Sequence, residues 1–571
     1  MKYRNILIAA TAFLMTVSCG DILDTDSGIV EFEEDNSIRE ASDSVYSMLG
    51  ILNKMQVVAE RNALLGDIRS DMIALTTKAN TNLQAVANFE ADVDNSYNVV
   101  SDYYAVINNC NNYIAKADTN LTLKGIKVFK REYVAAKVFR AWAYLQAVQI
   151  YGKLPYVTKP IYSESQAQEE MRKTPLGIKE LCLELIRDLE PYVDERVPAT
   201  GGVVNSKYFI PVRVMLGELC LWAEEYEKAA TYYFDYLTLQ EDPKRTTTYH
   251  IRWSNTKDFS PENYPSWGSV GMNVDGSNLM ERITCIPLET QPYYGHTSQM
   301  YYLYNSDNTM NNGYVSLTPS KQMREIFKRQ HYTHVYTDNN NKRDTLSGPE
   351  VDMINSIQYT QGDLRFTYYY SKRTVNRDEF SSFADYTQMI DKNYYDEFVI
   401  YRVQMIYLHL AEALNRLGYT QTAMAILKYG LYENSINDNI DETERAAAQR
   451  FLNWDPLVFT IENTQGIHSR GSGYAECDTL SFVMPMPEIA LATRQDTIDY
   501  QMPLIEELIV EEMALEGAYE GNRYYDLMRV ALRRNDPAFL ADRVARRNGD
   551  LDDALKQKLM QQTNWYLPLR Y

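Results

Sequence analysis

Residues 401–427 read YRVQMIYLHLAEALNRLGYTQTAMAIL, and they carry the strongest signal for the fold class. Apolar side chains recur at helical spacing on both sides of Leu417-Gly418, which predicts two helices joined by a short turn. Residues 207–238 show the same pattern, with helices predicted over Tyr208–Trp222 and Glu227–Leu237. Two short helices that bury small and apolar residues between them are typical of tetratricopeptide hairpins. We therefore predict a mostly α-helical protein.

The helical pattern is interrupted between about residues 240 and 395. Gly, Pro, Asn, Asp, Ser and Tyr dominate this segment, and helical periodicity fades. Short strands are expected around 280–288 and 364–370. A long insertion of this kind inside a helical scaffold is usually functional. We therefore predict a scaffold over about 41–238 and 396–571, with a loop-rich insertion, about 240–395, that carries the ligand surface.

Aromatic side chains are the strongest candidates for ligand contact. The chain has 46 tyrosines, 17 phenylalanines and six tryptophans. Rings stack on the flat C–H faces of sugars, and polar edges bind the hydroxyl groups. Trp142 and Trp222 fall on apolar helical stripes, so we predict that both are core residues. The rings in the insertion are the predicted ligand contacts, namely Trp253, Tyr264, Trp267, Tyr293 and Tyr294.

The amino terminus has the features of a lipoprotein signal. Lys2 and Arg4 precede a short apolar run, and Val17-Ser18-Cys19-Gly20 follows as a cleavage site of small residues. This pattern resembles bacterial lipoproteins, whose first mature residue is a cysteine that carries acyl chains. We predict a signal peptide over residues 1–18, cleavage before Cys19, and a flexible acidic tether over 19–40. An ordinary secretory signal with an incidental cysteine is the alternative.

Charge and cysteine content exclude several classes of function. The formal net charge is −20, which repels polyanions, so nucleic acid is not an expected partner. The five cysteines beyond Cys19 are an odd, widely spaced set, which is neither a disulfide framework nor a zinc site. Cys110, Cys182 and Cys220 lie in apolar helical patterns and are predicted to be small buried hydrophobes.

No constellation of residues predicts catalysis or a cofactor. His331 and His334 lack a third metal ligand. Segment Asp338–Asp344 resembles a calcium loop but lacks glycine at its sixth position and glutamate at its twelfth. Four carboxylates on one helix cannot face each other across a sugar, so we predict that they lie on the helix surface or cap it: Glu507, Glu511, Glu512 and Glu516. We expect a binding protein and not an enzyme.

Four blocks of residues resemble one known family. The first contains Ile107, Asn108, Asn111, Ala136, Arg140, Ala141, Tyr144, Tyr151, Gly152, Pro155 and Val157. The second is Gly362–Arg365. The third contains Tyr401, Arg402, Met405, Tyr407, Leu408, Ala411, Glu412, Ala413 and Asn415. The fourth contains Glu512, Glu516, Glu520, Gly521, Arg523, Asp526, Leu527 and Arg529, followed by Trp565–Pro568. In this order, behind Cys19, the blocks resemble the SusD/RagB family of outer-membrane nutrient-binding lipoproteins of Bacteroidetes.

The chain departs from the family pattern at two positions of the fourth block. Met513 and Gly517 replace an arginine and an apolar residue. A glycine inside a helix costs about 1 kcal/mol relative to alanine, so we expect a slightly weakened helix there.

The resemblance implies a fold, a function and a partner. It implies a single SusD-like domain over 41–571, anchored to the cell outer membrane through lipid on Cys19 and facing the exterior. Such a protein captures an oligomeric nutrient and delivers it to a TonB-dependent outer-membrane transporter. The resemblance also implies that segment Asp67–Asp71 reaches the ligand surface, which makes Asp67, Arg69 and Asp71 further candidate contacts.

The identity of the ligand stays open at this point. An oligosaccharide is expected from the aromatic residues of the insertion. A RagB-like oligopeptide binder is the alternative, and it would rely on backbone hydrogen bonds along an extended chain. A helical-repeat interaction scaffold and a hydrolase are more remote possibilities.

Overall fold

The computed structural model describes residues 41–123, 125–198, 206–245, 281–288, 296–304, 315–337, 343–348, 353–354, 357–358, 363, 365, 370–375, 385–390, 397–461, 463–471 and 482–569. The α-helices are Ala41–Ile68 (α1), Thr81–Ala87 (α2), Val100–Lys116 (α3), Lys130–Tyr151 (α4), Glu164–Met171 (α5), Ile178–Leu189 (α6), Val212–Trp222 (α7), Tyr226–Leu237 (α8), Gln299–Tyr304 (α9), Lys321–Lys328 (α10), Val403–Arg416 (α11), Thr420–Met424 (α12), Glu433–Asn439 (α13), Glu442–Ala447 (α14), Arg494–Glu516 (α15), Arg523–Arg534 (α16), Pro537–Ala545 (α17) and Asp553–Leu559 (α18).

The strands are short and pair two by two. They are Ile73–Leu75 (β1), Thr122–Leu123 (β2), Ile126–Lys127 (β3), Lys153–Leu154 (β4), Leu176–Gly177 (β5), Arg282–Pro287 (β6), Leu317–Pro319 (β7), Tyr332–Thr337 (β8), Arg343–Gly348 (β9), Met353–Ile354 (β10), Ile357–Gln358 (β11), Tyr370–Val375 (β12), Asp385–Ile390 (β13) and Glu397–Arg402 (β14). Helices therefore dominate, which confirms the predicted fold class.

Both predicted helical hairpins are present. Helices α7 and α8 form the first, and α11 and α12 form the second, with a π-helical turn over Ala425–Tyr429 after α12. Helix α7 begins at Val212 and not at Tyr208, because Pro211 occupies the position before it in an extended conformation. Gly418 makes the predicted turn of the second hairpin with φ = 84°.

The two hairpins pack on each other although the insertion separates them in the sequence. Helix α8 contacts α11, and α11 contacts α15. Within the first hairpin, a Cβ atom on Gly217 would lie 2.3 Å from the ring of Tyr233. Glycine at this position therefore allows α7 and α8 to approach closely. Tyr233 also donates its hydroxyl proton to Glu218, at 2.7 Å.

The predicted core residues are buried. Trp142 and Trp222 are 3% and 6% exposed, which confirms their assignment to the core. Cys110, Cys182 and Cys220 are buried free thiols, as predicted, and Cys285 is buried as well. Cys477 lies outside the described residues.

The insertion contains more regular structure than its composition predicts. Strand β6 confirms the strand expected at 280–288 and pairs antiparallel with β14, so that Pro287 lies opposite Glu397. Two further antiparallel hairpins, β8–β9 and β12–β13, are made of six-residue strands. The strand expected at 364–370 falls mostly outside the described residues, and β12 begins at its last position.

The end of α15 differs from the prediction. The helix stops at Glu516, and Gly517 is its carboxyl cap with φ = −90°. Gly517 is therefore not inside a helix, and the predicted weakening is wrong. Among the described helices, none is long and apolar enough to cross a membrane.

Candidate functional site

The predicted ligand-binding rings cannot be placed. Trp253, Tyr264, Trp267, Tyr293 and Tyr294 all lie outside the described residues. The structure describes other parts of the insertion and their contacts with the scaffold.

The three polar candidates from segment Asp67–Asp71 lie in the interior. Asp67 accepts hydrogen bonds from the Tyr304 hydroxyl at 2.9 Å and from the Gly521 amide at 3.1 Å. Arg69 donates to the carbonyl oxygen of Trp565 at 3.1 Å. The exposed fractions of Asp67, Arg69 and Asp71 are only 1%, 1% and 0%. The expectation that they contact ligand is corrected accordingly, because each side chain serves the scaffold.

Asp71 connects segment Asp67–Asp71 to Arg523 in the carboxyl-terminal block. Both of its carboxylate oxygens accept hydrogen bonds from the Arg523 guanidinium, at 2.8 Å each. Burial raises the pKa of the Asp71 carboxyl, but the charge of Arg523 outweighs burial and holds the pKa below its usual value. The segment therefore joins the amino-terminal helix to the carboxyl-terminal block.

Helix α1 also holds residues 296–300 of the insertion. Glu60 accepts hydrogen bonds from the Ser298 hydroxyl at 2.5 Å and from the Met300 amide at 2.9 Å, and it contacts a ring nitrogen of His296 at 2.7 Å. Farther along, strand β7 pairs with β1, and the Ser320 amide donates to the carbonyl oxygen of Met72 at 2.9 Å. The described residues between 296 and 320 therefore contact α1 and β1 through these hydrogen bonds and this strand pairing.

A buried ionic cluster holds the middle of the insertion. Arg365 donates to Glu512 at 2.7 Å, to Glu516 at 2.8 Å and to Asp363 at 2.7 Å. Arg402 and Arg470 also bind Glu516, at 2.8 Å and 3.2 Å. We call this the carboxylate–arginine cluster, and its members are Glu281, Asp363, Arg365, Arg402, Arg470, Glu512, Glu516 and Glu520.

The cluster corrects one prediction and confirms another. Glu512 and Glu516 were predicted to lie on the helix surface, but they are 0% and 1% exposed. Their helix face is covered by Arg365 and Arg470, which come from segments without helical periodicity. The side chains of Glu507 and Glu511, at 41% and 25% exposed, do lie toward the surface.

The charges in the cluster stabilise one another. Burial opposes the charge of Arg365, but Asp363, Glu512 and Glu516 hold its pKa well above the usual value. Burial likewise raises the pKa of Glu281, and there the charge of Arg470 offsets burial only in part. Glu512 and Glu516 are both engaged by arginine, and Glu512 also contacts a ring nitrogen of His468 at 2.6 Å.

The cluster links two parts of the chain to α15, and each of them lies next to sequence without helical periodicity. Arg365 belongs to the insertion, and Arg470 precedes residues 472–481; both meet α15 at Glu516. Sequence reasoning missed this junction, although one signal was present. The arginines of the second and third blocks and the glutamates of the fourth are complementary in charge.

A second buried group of charges lies between the hairpins. His409 on α11 contacts Glu218 on α7 at 2.6 Å and Asp526 on α16 at 3.8 Å. Arg529 binds Glu412 at 2.6 Å and Asp526 at 2.9 Å. Burial lowers the pKa of His409, but Glu218 and Asp526 raise it to about 9. The imidazole is therefore charged at neutral pH and acts as an ionic tie between helices.

Metal ligands are not grouped in the part of the chain described here. No set of three or more histidine, cysteine, aspartate or glutamate side chains among those residues has an arrangement that could hold a metal ion.

In the comparisons with known proteins, only solved structures match this chain. No protein-family model matches the sequence, and no curated protein matches it significantly. Among solved structures, a SusD superfamily protein from Bacteroides vulgatus is 13% identical, with 93% of this chain and 92% of that chain covered and a TM-score of 0.53. A SusD-like carbohydrate binding protein from the same organism is 18% identical, with 86% and 84% covered and a TM-score of 0.50.

A third similar structure is surface glycan-binding protein A from Bacteroides fluxus. It is 15% identical, with 90% of this chain and 92% of that chain covered and a TM-score of 0.52. The matches cover 84–93% of the chains in these three comparisons. The chain therefore has the SusD-like fold.

Proposed function

We propose that this protein is a cell-surface lipoprotein that binds an oligosaccharide and delivers it to a TonB-dependent outer-membrane transporter. The observation that carries the proposal is the SusD-like fold over nearly the whole chain. Two of the similar structures are named for the binding of carbohydrate or glycan. This favours a glycan over the oligopeptide considered above. The four sequence blocks resemble the SusD/RagB family, and this resemblance supports a TonB-dependent transporter as the partner.

The ligand surface is proposed to lie on the insertion. Its framework is fixed at the base by α1 and β1 and in the middle by the carboxylate–arginine cluster. Trp253, Tyr264, Trp267, Tyr293 and Tyr294 stay the proposed contacts. The net charge of −20 favours a neutral glycan over a sulfated or uronic-acid-rich one.

A glycan array followed by calorimetric titration tests the proposal. We expect the protein to retain neutral oligosaccharides and to leave them chemically unchanged. A ring that anchors a ligand contributes at least about 2 kcal/mol, so Trp253→Ala or Trp267→Ala should weaken affinity tenfold or more if that ring touches the glycan.

Trp222→Ala is the matched control, because Trp222 is buried in the helical scaffold. Loss of a core tryptophan costs about 3–5 kcal/mol of stability, so this variant should melt at lower temperature. The loop variants should melt like the wild type. Absence of any retained glycan, or product formation that a single glutamate substitution abolishes, would refute the proposal. A large loss of stability in both loop variants would refute only the location of the site.

A further inference from the structure

A cleft lies beside the second helical hairpin, in the part of the scaffold formed by residues 396–571. Its volume is about 770 Å3. Gln421 at the start of α12, Ile440 after α13 and the first turns of α15 form its walls. Met484 and Met486 close it from the segment that precedes α15.

That segment and the helix that follows it, α15, carry exposed apolar side chains. Gln501 on α15 donates to the carbonyl oxygen of Pro485 at 3.0 Å, which holds the segment against the helix beside the cleft. Exposed apolar side chains mark interaction surfaces where they form one patch. We call them the 483–504 patch, and they are Val483 (49% exposed), Met486 (65%), Ile489 (80%), Leu491 (40%), Tyr500 (40%) and Leu504 (39%).

The lining of the cleft mixes polar and apolar side chains, and its apolar part does not suit a sugar. Its apolar side chains are aliphatic or thioether groups, namely Ile440, Met484, Met486 and Ile498, and no aromatic ring from the described residues lines it. Sugars are gripped by rings, whereas flexible methionines adapt to the apolar side chains of proteins. The cleft therefore favours a polypeptide.

The charged side chains at the rim of the cleft indicate what kind of polypeptide it would bind. Arg494 pairs with Asp441 at 2.7 Å, and Arg445 donates to the carbonyl oxygen of Asn437 at 2.8 Å. Asp438 and Glu442 are exposed, and neither forms an ion pair with another described residue. The rim thus offers two carboxylates to a cation next to the four apolar side chains of the cleft.

We propose that the cleft and the 483–504 patch dock an extended segment of a partner protein. An apolar side chain of that segment enters the cleft, and an adjacent lysine or arginine meets Asp438 and Glu442. The volume falls within the range of about 300–1,000 Å3 that is typical of ligand pockets, so it accepts a few residues of a chain and not a whole domain. This docking site goes beyond glycan binding and does not depend on it.

Selection from a random-peptide phage library on the purified protein tests the proposal. We expect enriched peptides that place a lysine or arginine beside a leucine, isoleucine, valine or methionine. Affinities of the synthetic peptides, measured by fluorescence polarisation, should fall tenfold or more in Met486→Asp and in Ile489→Asp. Both side chains are mostly exposed, so the variants should keep the melting temperature of the wild type.

Charge variants separate specific docking from general attraction to an acidic protein. Asp438→Asn combined with Glu442→Gln should weaken binding about threefold to tenfold at low salt and less at high salt. Glu164→Gln combined with Glu169→Gln removes the same charge from α5, a helix that buries no side chain, and should leave binding unchanged.

Three results would overturn the proposal. The first is the absence of enriched peptides, and the second is binding that the cleft and patch variants leave intact. The third is a dimer, seen by light scattering, that Ile489→Asp dissociates, because the patch would then be covered by a second copy of this chain.

Discussion

Two glycines, Gly66 and Gly521, allow the amino-terminal helix to pack against the carboxyl-terminal block. A Cβ atom on Gly66 in α1 would lie 1.7 Å from the carbonyl oxygen of Gly521. Gly521 itself has φ = 81°, a backbone conformation that other residues rarely adopt. The backbones of the two segments can touch only because neither residue has a side chain.

We therefore expect Gly66→Ala to destabilise the protein by more than about 2 kcal/mol, a loss typical of overpacking in a core. Gly50→Ala in the same helix is the control, because a Cβ atom there meets nothing within 4 Å. Alanine is the better helix former by about 1 kcal/mol, so the control should be neutral or stabilised. Urea unfolding of the two variants measures the difference, and equal losses would contradict this account.

Adjacent glutamates of α15 test the carboxylate–arginine cluster. Glu512 is fully buried and binds Arg365, whereas Glu511 pairs with Arg329 near the surface. Removal of one partner from a buried ion pair costs about 3–5 kcal/mol, whereas an exposed pair contributes about 0–1 kcal/mol. Glu512→Gln should therefore melt at a much lower temperature than Glu511→Gln. Similar melting temperatures for the two variants would mean that the cluster contributes little to stability.

Between helices, the buried His409 makes stability depend on pH. Its folded-state pKa of about 9 exceeds its ordinary value of 6.5, so its stabilisation is fully present below about pH 6.5 and is lost as the pH rises through about 9. A shift of this size corresponds to roughly 3 kcal/mol. Urea unfolding at pH 6.5 and pH 9.5 should show this loss in the wild type.

The variant His409→Gln identifies the group that titrates. It should be less stable than the wild type at pH 6.5 and should lose little more stability by pH 9.5. His331→Gln, a substitution at a partly exposed histidine, should keep the pH dependence of the wild type. An unchanged pH dependence in His409→Gln would assign the effect to another group.

The helical hairpins could be predicted from the sequence because the signal for a helix is local. Apolar spacing and Leu417-Gly418 place α11 and α12 without knowledge of the rest of the chain. The same spacing showed that Glu512 and Glu516 share a helix face, but not what covers that face. Their partners Arg365 and Arg470 come from distant segments without periodicity, so the buried cluster was predicted as a surface.

The misplacement of segment Asp67–Asp71 has a similar cause. Three charged residues in five are usually exposed, and their burial here depends on Tyr304, Arg523 and Trp565, all far away in the sequence. Long-range pairing of this kind leaves no local pattern. The aromatic part of the candidate site, in contrast, rests on composition alone and stays a prediction.

For the molecule as a whole, the proposed lipid anchor gives a direct prediction. Cys19→Ala should leave the protein unprocessed or release it from the outer membrane, because acylation requires the thiol. Fractionation of cells and protease accessibility measure the two outcomes, and Cys285→Ala is the control, since that thiol is buried in the scaffold. Full membrane attachment of the Cys19→Ala variant would contradict the anchor.

The pairing of β6 with β14 has a consequence for engineering and for evolution. Because Pro287 lies opposite Glu397, the chain leaves the scaffold and returns to it on neighbouring strands. The segment between Pro287 and Glu397 therefore has adjacent ends. It can be exchanged for another segment while the helices keep their connectivity. Any graft must supply an aspartate and an arginine in place of Asp363 and Arg365, or the buried glutamates of α15 lose part of their counter-charge. It must also replace the partners that Ser298 and Tyr304 give to the buried Glu60 and Asp67. New specificities on this scaffold are therefore expected to arise by exchange of whole segments that keep these contacts.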